Sequence, residues 1–372
     1  MSTAPACNDR PSIGAGVRPV NSSNRFGLDY AAEAARMGPP LVPIIDVHTH
    51  VNGAAAARIM LRACDLYGVS RIVSMTHLEQ AGQMRDVFGD RIDFIAVPDF
   101  GAKDRRHAMS DGFIERLEGY HRLGTRIAKF WAAPRAVDYA KEFGEPGFMR
   151  LDAPHRIAAM EAAAAYGMIF MTHIGDPDTW FATKYRDASV YGSKRAQYES
   201  LEMLLDRFAQ PWIAAHMGGW PEDLEFLTGM LERHSNLYLD TSACKWQVRE
   251  LSRHARVDLV SFLRRFKGRV LFGSDIVTTD DHLAASKAEN EMQQKAGSAE
   301  EAFDLYASRY WAFRTLFETD YDGESPIADP DLAMIDPDHF KPMDAPRLHG
   351  KHLPADVLRD LYHDAAAKLL GM

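Results

Sequence analysis

The sequence predicts an α/β fold, a (β/α)8 TIM barrel with an N-terminal leader and a C-terminal helical extension. Three observations lead there. Eight short β-rich runs alternate with helical runs along the chain, which is the element count of that barrel. No Gly-rich phosphate turn follows the first strand, which disfavours an open doubly wound sheet; a histidine pair follows instead. The 372 residues would suit two domains of roughly 150, but strand–helix barrels routinely exceed roughly 250 residues as one domain.

The elements follow in order. Residues 1–40 form a leader: 1–27 are rich in Pro, Gly, Ser and Asn without periodicity and read as loose, and 28–37 read as a short helix before the break at 38–40. The barrel is expected over 41–318. Its strands are predicted at 43–49, 71–75, 92–97, 126–131, 168–173, 211–216, 236–240 and 269–274. Its helices are predicted at 54–67, 78–88, 110–123, 153–166, 195–207, 222–234, 249–266 and 283–295. The run 249–269 is locally basic, but Val257, Val260 and Leu263 give it an apolar face, so it reads as a helix with a solvated charged side. Residues 300–318 read as a further amphipathic helix. Residues 319–372 form an irregular arm, rich in Asp, Pro and Gly to 352, and then a terminal helix. Pro354 suits its first turn, Val357, Leu358, Leu361, Tyr362, Ala365 and Leu369 make one face, and Gly371 suits its C-cap. That helix is expected to pack on the bottom or side of the barrel.

Composition narrows the function. The 43 Lys+Arg against 52 Asp+Glu leave a net charge of −9, which argues against a nucleic-acid or membrane-surface binder. With 46% hydrophobic and 26% charged residues the chain is of ordinary folded composition. Cys7, Cys64 and Cys244 make no disulfide framework, and neither a secretory signal nor a transmembrane run is recognised. A cytoplasmic enzyme acting on a small molecule is the expectation.

The first strand ends Asp46-Val47-His48-Thr49-His50. Alternation puts 46, 48 and 50 on one face, inward in a barrel, with 48 and 50 at the C-terminal mouth. Two imidazoles so placed can grip one divalent ion, although a lone HxH can equally be two polar residues at a strand end. Recurrence changes the balance. His173, His216 and Asp275 each arrive directly after an apolar run at the end of the fifth, sixth and eighth strand candidates. Strand ends of a barrel converge on one pocket, so four imidazoles and a carboxylate are expected together.

These pieces resemble the amidohydrolase superfamily, in particular the amidohydrolase-related branch of aminocarboxymuconate semialdehyde decarboxylase-like enzymes. The resemblance rests on IIDVHTH at 44–50, MTHIGD at 171–176, AAHMGG at 214–219, NLYLDTSA at 236–243 and VLFGSD at 270–275. It covers 43–315 and the terminal helix, not the leader or the arm. It implies that His48, His50, His173 and Asp275 ligate a single metal, one zinc per chain, with His216 unliganded and catalytic. A catalytic zinc keeps an open position and brings its water to a pKa near roughly 7. Asp275 would take that water's proton and return it to the leaving group, and His216 would polarise a carbonyl or steady oxyanion charge. Asp46 is expected in the layer beneath.

The implied reaction is hydrolysis of an amide, ester or lactone of a small organic substrate. The alternative is a non-oxidative decarboxylase using the same residues. A non-catalytic binding protein is a third reading, which the intact ligand set disfavours. Lys129, ending strand four, admits three roles: a carbamylated bridge to a second metal, a partner for a substrate carboxylate, or a lysine facing solvent. The loop 176–195 is either a lid or a packed surface loop, with Trp180, Lys184, Tyr185 and Arg186 as candidates to meet an aromatic or acidic substrate. Arg135 either meets a carboxylate or is simply exposed. Asp240 either bonds His216 or caps the following turn, and Lys245 and Trp246 are placed to line the pocket. Asp280, Asp281 and His282 read as the start of the next helix rather than a metal cluster. The resemblance and the long tail point to a homodimer.

Overall fold

The computed structural model describes residues 20–285 and 295–372. Its main sheet holds nine strands, all parallel: β1 Ile44–Val51, β2 Val69–Ser74, β3 Ile92–Ala96, β4 Ile127–Trp131, β5 Ile169–His173, β6 Trp212–Ala214, β7 Leu237–Asp240, β8 Val270–Leu271 and β9 Ile276–Thr278. Strands β8 and β9 are two halves of one eighth strand. β8 pairs with β7, and β9 pairs with β1, so the sheet closes on itself. Between the halves the chain stays tied to β1: Val47 N–H donates to Phe272 O at 2.9 Å and Asp275 N–H to His48 O at 2.7 Å. The predicted barrel is therefore present, and the expected strand at 269–274 is the part that differs. It is interrupted where Asp275 turns to φ +59°.

Helices cover the sheet where expected, with capping that explains their ends. Gly68 takes a left-handed φ of +74° and closes Ala54–Tyr67; Ser193 and Asp223 accept from the first turns of Lys194–Arg207 and Leu224–Arg233. The helix expected over 249–266 is two, Cys244–Leu251 and Arg256–Arg265. Lys351 donates to Ser252 O and His254 O in the gap, capping the first of them. Val257, counted on the apolar face, is exposed, and Leu259, Val260, Phe262 and Leu263 are buried instead. The Asp280–Leu283 turn is capped by Thr279, and Asp280 accepts from Ala56 N–H in the helix after β1. Most of the helix expected at 283–295 lies outside the described residues, as does the leader before residue 20.

The extensions are more ordered than expected. Asn24 is buried and its Nδ2 donates to Leu28 O and Asp304, so the end of the leader is packed rather than loose. Ala299–Glu318 is buried nearly all round instead of amphipathic, because the helices Tyr30–Met37, Ala54–Tyr67 and Cys244–Leu251 all pack on it. The arm carries a short helix, Pro330–Ile335, and an antiparallel pair, Asp322–Glu324 with Arg347–His349. The terminal helix contains a π segment at Asp360–Asp364, and Arg126 Nη1, just before β4, donates to Leu370 O at 2.5 Å, so its end lies below the barrel.

Candidate metal and catalytic site

The C-terminal ends of the strands bring the predicted residues to one rim. Donor atoms of His48, His50 and Asp275 lie within 4.8 Å of one another. Asp275 Oδ1 is 3.1 Å from His50 Nε2 and 3.4 Å from His48 Nε2. Burial opposes ionisation of Asp275, yet the hydrogen bond from His50 and the imidazoles of His48 and His216 hold its carboxyl well below the usual range. Beneath them, Asp46 Oδ1 accepts from Ser274 N–H at 3.0 Å and His48 N–H at 3.2 Å, and Oδ2 from the Tyr310 hydroxyl at 2.9 Å. Asp46 thus ties β1 to the residue before Asp275. Burial pushes its pKa up to about 7.

Asp240, at the end of β7, orients the rest. Its Oδ2 lies 2.8 Å from His48 Nδ1, and Oδ1 accepts from the backbone N–H of His216 at 2.9 Å and of Ser242 at 3.0 Å. It meets His216 through the main chain, not the ring, and it also caps the following turn. Burial and then the Lys129 charge lower the His48 pKa. A neutral His48 that donates Nδ1–H to Asp240 has its lone pair at Nε2, on the Asp275 side. A carboxylate behind a histidine is the usual support of a metal ligand, so this donor set fits a divalent ion.

Lys129 is 5% exposed, with Nζ 3.3 Å from His48 Nε2, so the solvent-facing role is excluded. Burial brings its pKa down to about 8. His216 packs its ring against His48 and His173 at centroid distances of 5.1 and 4.4 Å, and its Nδ1 lies 2.7 Å from Ser242 Oγ. Because that hydroxyl donates to Asp240, its oxygen is left to accept from His216 Nδ1–H. His173 is outside the close group of donors. Its Nε2 lies 2.8 Å from Asp176 Oδ1, and Asp176 Oδ2 accepts from the Tyr185 hydroxyl at 2.7 Å, which leaves Nδ1 as the nitrogen with a lone pair.

Tryptophans wall this group. Trp246 stands edge-on to His216 and His173, at 5.7 and 6.2 Å, and Trp180 edge-on to Trp246 at 5.3 Å. Lys184 holds its ammonium 3.6 Å from the Trp180 ring centre. Arg135, 5.6 Å from the centre of the Tyr139 ring, and Arg186 are exposed, and neither touches the histidine–aspartate group among the described residues. Sequence reasoning passed over Asp176 and Ser242 as functional groups. Asp176 carried a signal, a carboxylate three residues after a strand-end histidine. Ser242 carried none, since a serine in a turn is unremarkable.

A family model described as amidohydrolase matches residues 76–372. The match opens after β2, so His48 and His50 precede it, while Lys129, His173, His216, Asp240 and Asp275 fall within it. No curated protein matches the chain. Among solved structures, similarity extends to a 5-carboxyvanillate decarboxylase from Novosphingobium aromaticivorans, complexed with manganese and 4-hydroxy-3-methoxy-5-nitrobenzoic acid. There the identity is 11% over 89% of this chain and 96% of that one, with a TM-score of 0.44. An amidohydrolase from Burkholderia multivorans is 14% identical over 88% of this chain and 99% of that one, at 0.42. An N-acetyl-D-glucosamine-6-phosphate deacetylase from Mycobacterium smegmatis is 14% identical over 89% and 78%, also at 0.42.

Proposed function

The chain belongs to the amidohydrolase family, a family of enzymes, and from that premise we propose that it is a metal-dependent hydrolase of small organic amides, esters or lactones. The observation that carries this reading is the convergence of His48 Nε2, His50 Nε2 and Asp275 Oδ1, with Asp240 fixing the tautomer of His48. His48, His50 and Asp275 would hold one zinc ion, with His173 as a further ligand through Nδ1. Bound there, the ion supplies Lewis-acid polarisation of the group under attack. Asp275, ionised, accepts the proton of the attacking water and hands it to the leaving group. Burial holds His216 uncharged, so it would face developing negative charge as the Nε2–H tautomer, which the Ser242 hydroxyl supports when it turns from Asp240 to donate to Nδ1. Lys129 offers an ammonium to a substrate carboxylate, and a carbamylated Lys129 holding a second metal is the rarer form of the same site. The enzyme is taken to be a cytoplasmic homodimer.

Lys129 also favours a second reading. A buried ammonium beside His48 Nε2 would hold a carboxylate inside the site, as a decarboxylase requires; carbon then takes up a proton as carbon dioxide leaves. One experiment separates them. Protein purified without chelators is analysed for metal and incubated with a panel of amides, esters, lactones and aromatic acids, with carbon dioxide followed alongside hydrolysis. About one divalent ion per chain and metal-dependent hydrolysis is the expected result. Carbon dioxide release without hydrolysis would replace the first reading by the second, and a chain with no stoichiometric metal would sink both.

A further inference from the structure

We propose that Asp331, in the C-terminal arm, is a positioning residue for the pocket: it holds Trp180 and Trp246 as one wall beside His173 and His216. The proposal takes from the functional reading only that this pocket is where reaction occurs. It does not depend on which bond is broken.

The geometry is specific. One oxygen of Asp331, Oδ2, accepts from Trp180 Nε1 at 2.8 Å and from Trp246 Nε1 at 3.1 Å. The two tryptophans come from different loops, one after β5 and one after β7, and lie 151 and 85 residues before the aspartate. An indole nitrogen only donates, so a half-buried tryptophan deprived of an acceptor loses both a hydrogen bond and its fixed ring angle. With both N–H groups pinned to one atom, the rings meet edge-on at 79°. Trp246 then presents its ring to both histidines, and Trp180 carries the Lys184 ammonium on its face.

Asp331 is 7% exposed, and a buried carboxylate must be compensated. Arg249 supplies the charge, with Nη1 3.4 Å away, but that guanidinium is already held by Asp329, Glu250 and the Thr179 hydroxyl. The structural ion pair is therefore Arg249–Asp329. The two indole bonds of Asp331 are shorter than its contact to Arg249, so orienting the tryptophans is the role left to it. An arm outside the strand–helix repeat thereby sets the shape of the pocket wall.

The test is tryptophan emission and acrylamide quenching of the full chain, in the native sequence and in Asp331→Ala and Asp331→Asn. Both aspartate variants are repeated in a Trp180→Phe/Trp246→Phe background. Asp331→Ala is expected to red-shift emission and raise the quenching constant about twofold, as freed indoles meet water. Asp331→Asn, which retains an acceptor oxygen, is expected to restore most of the native signal. In the double-phenylalanine background both variants should leave quenching unchanged, because no indole is left to hold, and lower the melting temperature by less than in the native background, since only the Arg249 contact is lost there. Unchanged quenching in Asp331→Ala, or an equal loss of stability in both backgrounds, would overturn the proposal. Should Asp331→Ala fail to fold, Asp331→Asn carries the same comparison: retained quenching with a melting-temperature loss larger in the tryptophan background supports it, and an equal loss in both overturns it. A Co2+ titration separates this result from the functional reading. Asp331→Ala should bind Co2+ as the native chain does, whereas failure of the native chain to bind Co2+ strikes the metal site and not the indole bonds.

Discussion

Asp275 and His216 both adopt left-handed backbone, at φ +59° and +61°, where residues with a Cβ are strained by about 1–2 kcal/mol. Each is held there by a bond to the site itself: Asp275 N–H to His48 O, and His216 N–H to Asp240 Oδ1. The strain thus falls on the two residues proposed for the chemistry, and substitutions should separate the two. Asp275→Asn is expected to abolish turnover, by roughly a thousandfold or more, because an amide ligates poorly and takes no proton. His216→Asn is expected to leave metal content near native while the rate collapses; elemental analysis beside kinetics reads both, and loss of metal in the second variant would make His216 a ligand. Asp240→Asn should weaken metal binding by roughly 10–100-fold, since His48 loses its carboxylate support. Away from the rim, His155 stacks on Phe148 at 4.2 Å, and burial, then the neighbouring Arg156, lower its pKa to about 4. The unfolded chain binds that proton more readily, so the stability His155 contributes is complete above its unfolded value of about 6.5. It is lost as pH falls from there through about 4, by on the order of 1 kcal/mol. His155→Phe keeps the stacking and should flatten the pH dependence of urea midpoints between about 7 and 4; an unchanged slope would assign it to other groups.

At the scale of elements, the strand ends were legible in the sequence because each places a polar residue directly after an apolar run. The His48, His50, His173, His216 and Asp275 positions could be read before any coordinates for that reason. What was not legible depends on departures that leave no periodic mark. The π segment at Asp360–Asp364 is one such departure, and beyond it Leu370 is the buried position after Ala366, with Leu369 only partly covered. Leu370→Ala should therefore cost about 2–4 kcal/mol in urea unfolding and Leu369→Ala less than about 1 kcal/mol; the reverse order would place Leu369 in the core instead. The wider turn is accompanied by a bond from Phe272 N–H to Leu361 O at 3.0 Å, and that residue opens the break in the eighth strand. The meeting of Trp180 with Asp331 across 151 residues was equally invisible, since neither a spacing nor a composition signals it. Gly219 shows the same limit. At φ +77° its missing Cβ would stand 2.1 Å from Gly175 O, so the loops after β5 and β6 touch backbone to backbone beside His173 and His216. Gly219→Ala should destabilise by about 2–4 kcal/mol and lower metal retention with it.

Across the whole molecule, closure is the property on which the site depends. The barrel closes through a strand of which one half pairs with β7 and the other with β1, and Asp275 is the last residue before the second half. Two main-chain bonds tie that junction to β1, and packing from outside adds to them. The terminal helix provides it: Tyr362 sets its ring edge-on to Phe272 at 5.4 Å and donates its hydroxyl to Glu318 at 3.0 Å, while Leu370 O receives Arg126 from the barrel's lower end. The helix therefore braces the strand that leads to Asp275, the ligand proposed above, though it lies far from the rim. Tyr362→Ala leaves a cavity against Phe272, which costs about 3–5 kcal/mol for a fully buried aromatic side chain, while Glu318 keeps its pairing with Arg314. Because Asp275 sits three residues beyond Phe272, that loss should appear as weaker metal retention at temperatures where the rest of the barrel is still folded. Dialysis of the variant against a mild chelator, followed by elemental analysis and circular dichroism, reads the two effects apart. Native-like metal retention with a lowered melting temperature would mean that the helix stabilises the barrel evenly and the eighth strand holds its own course.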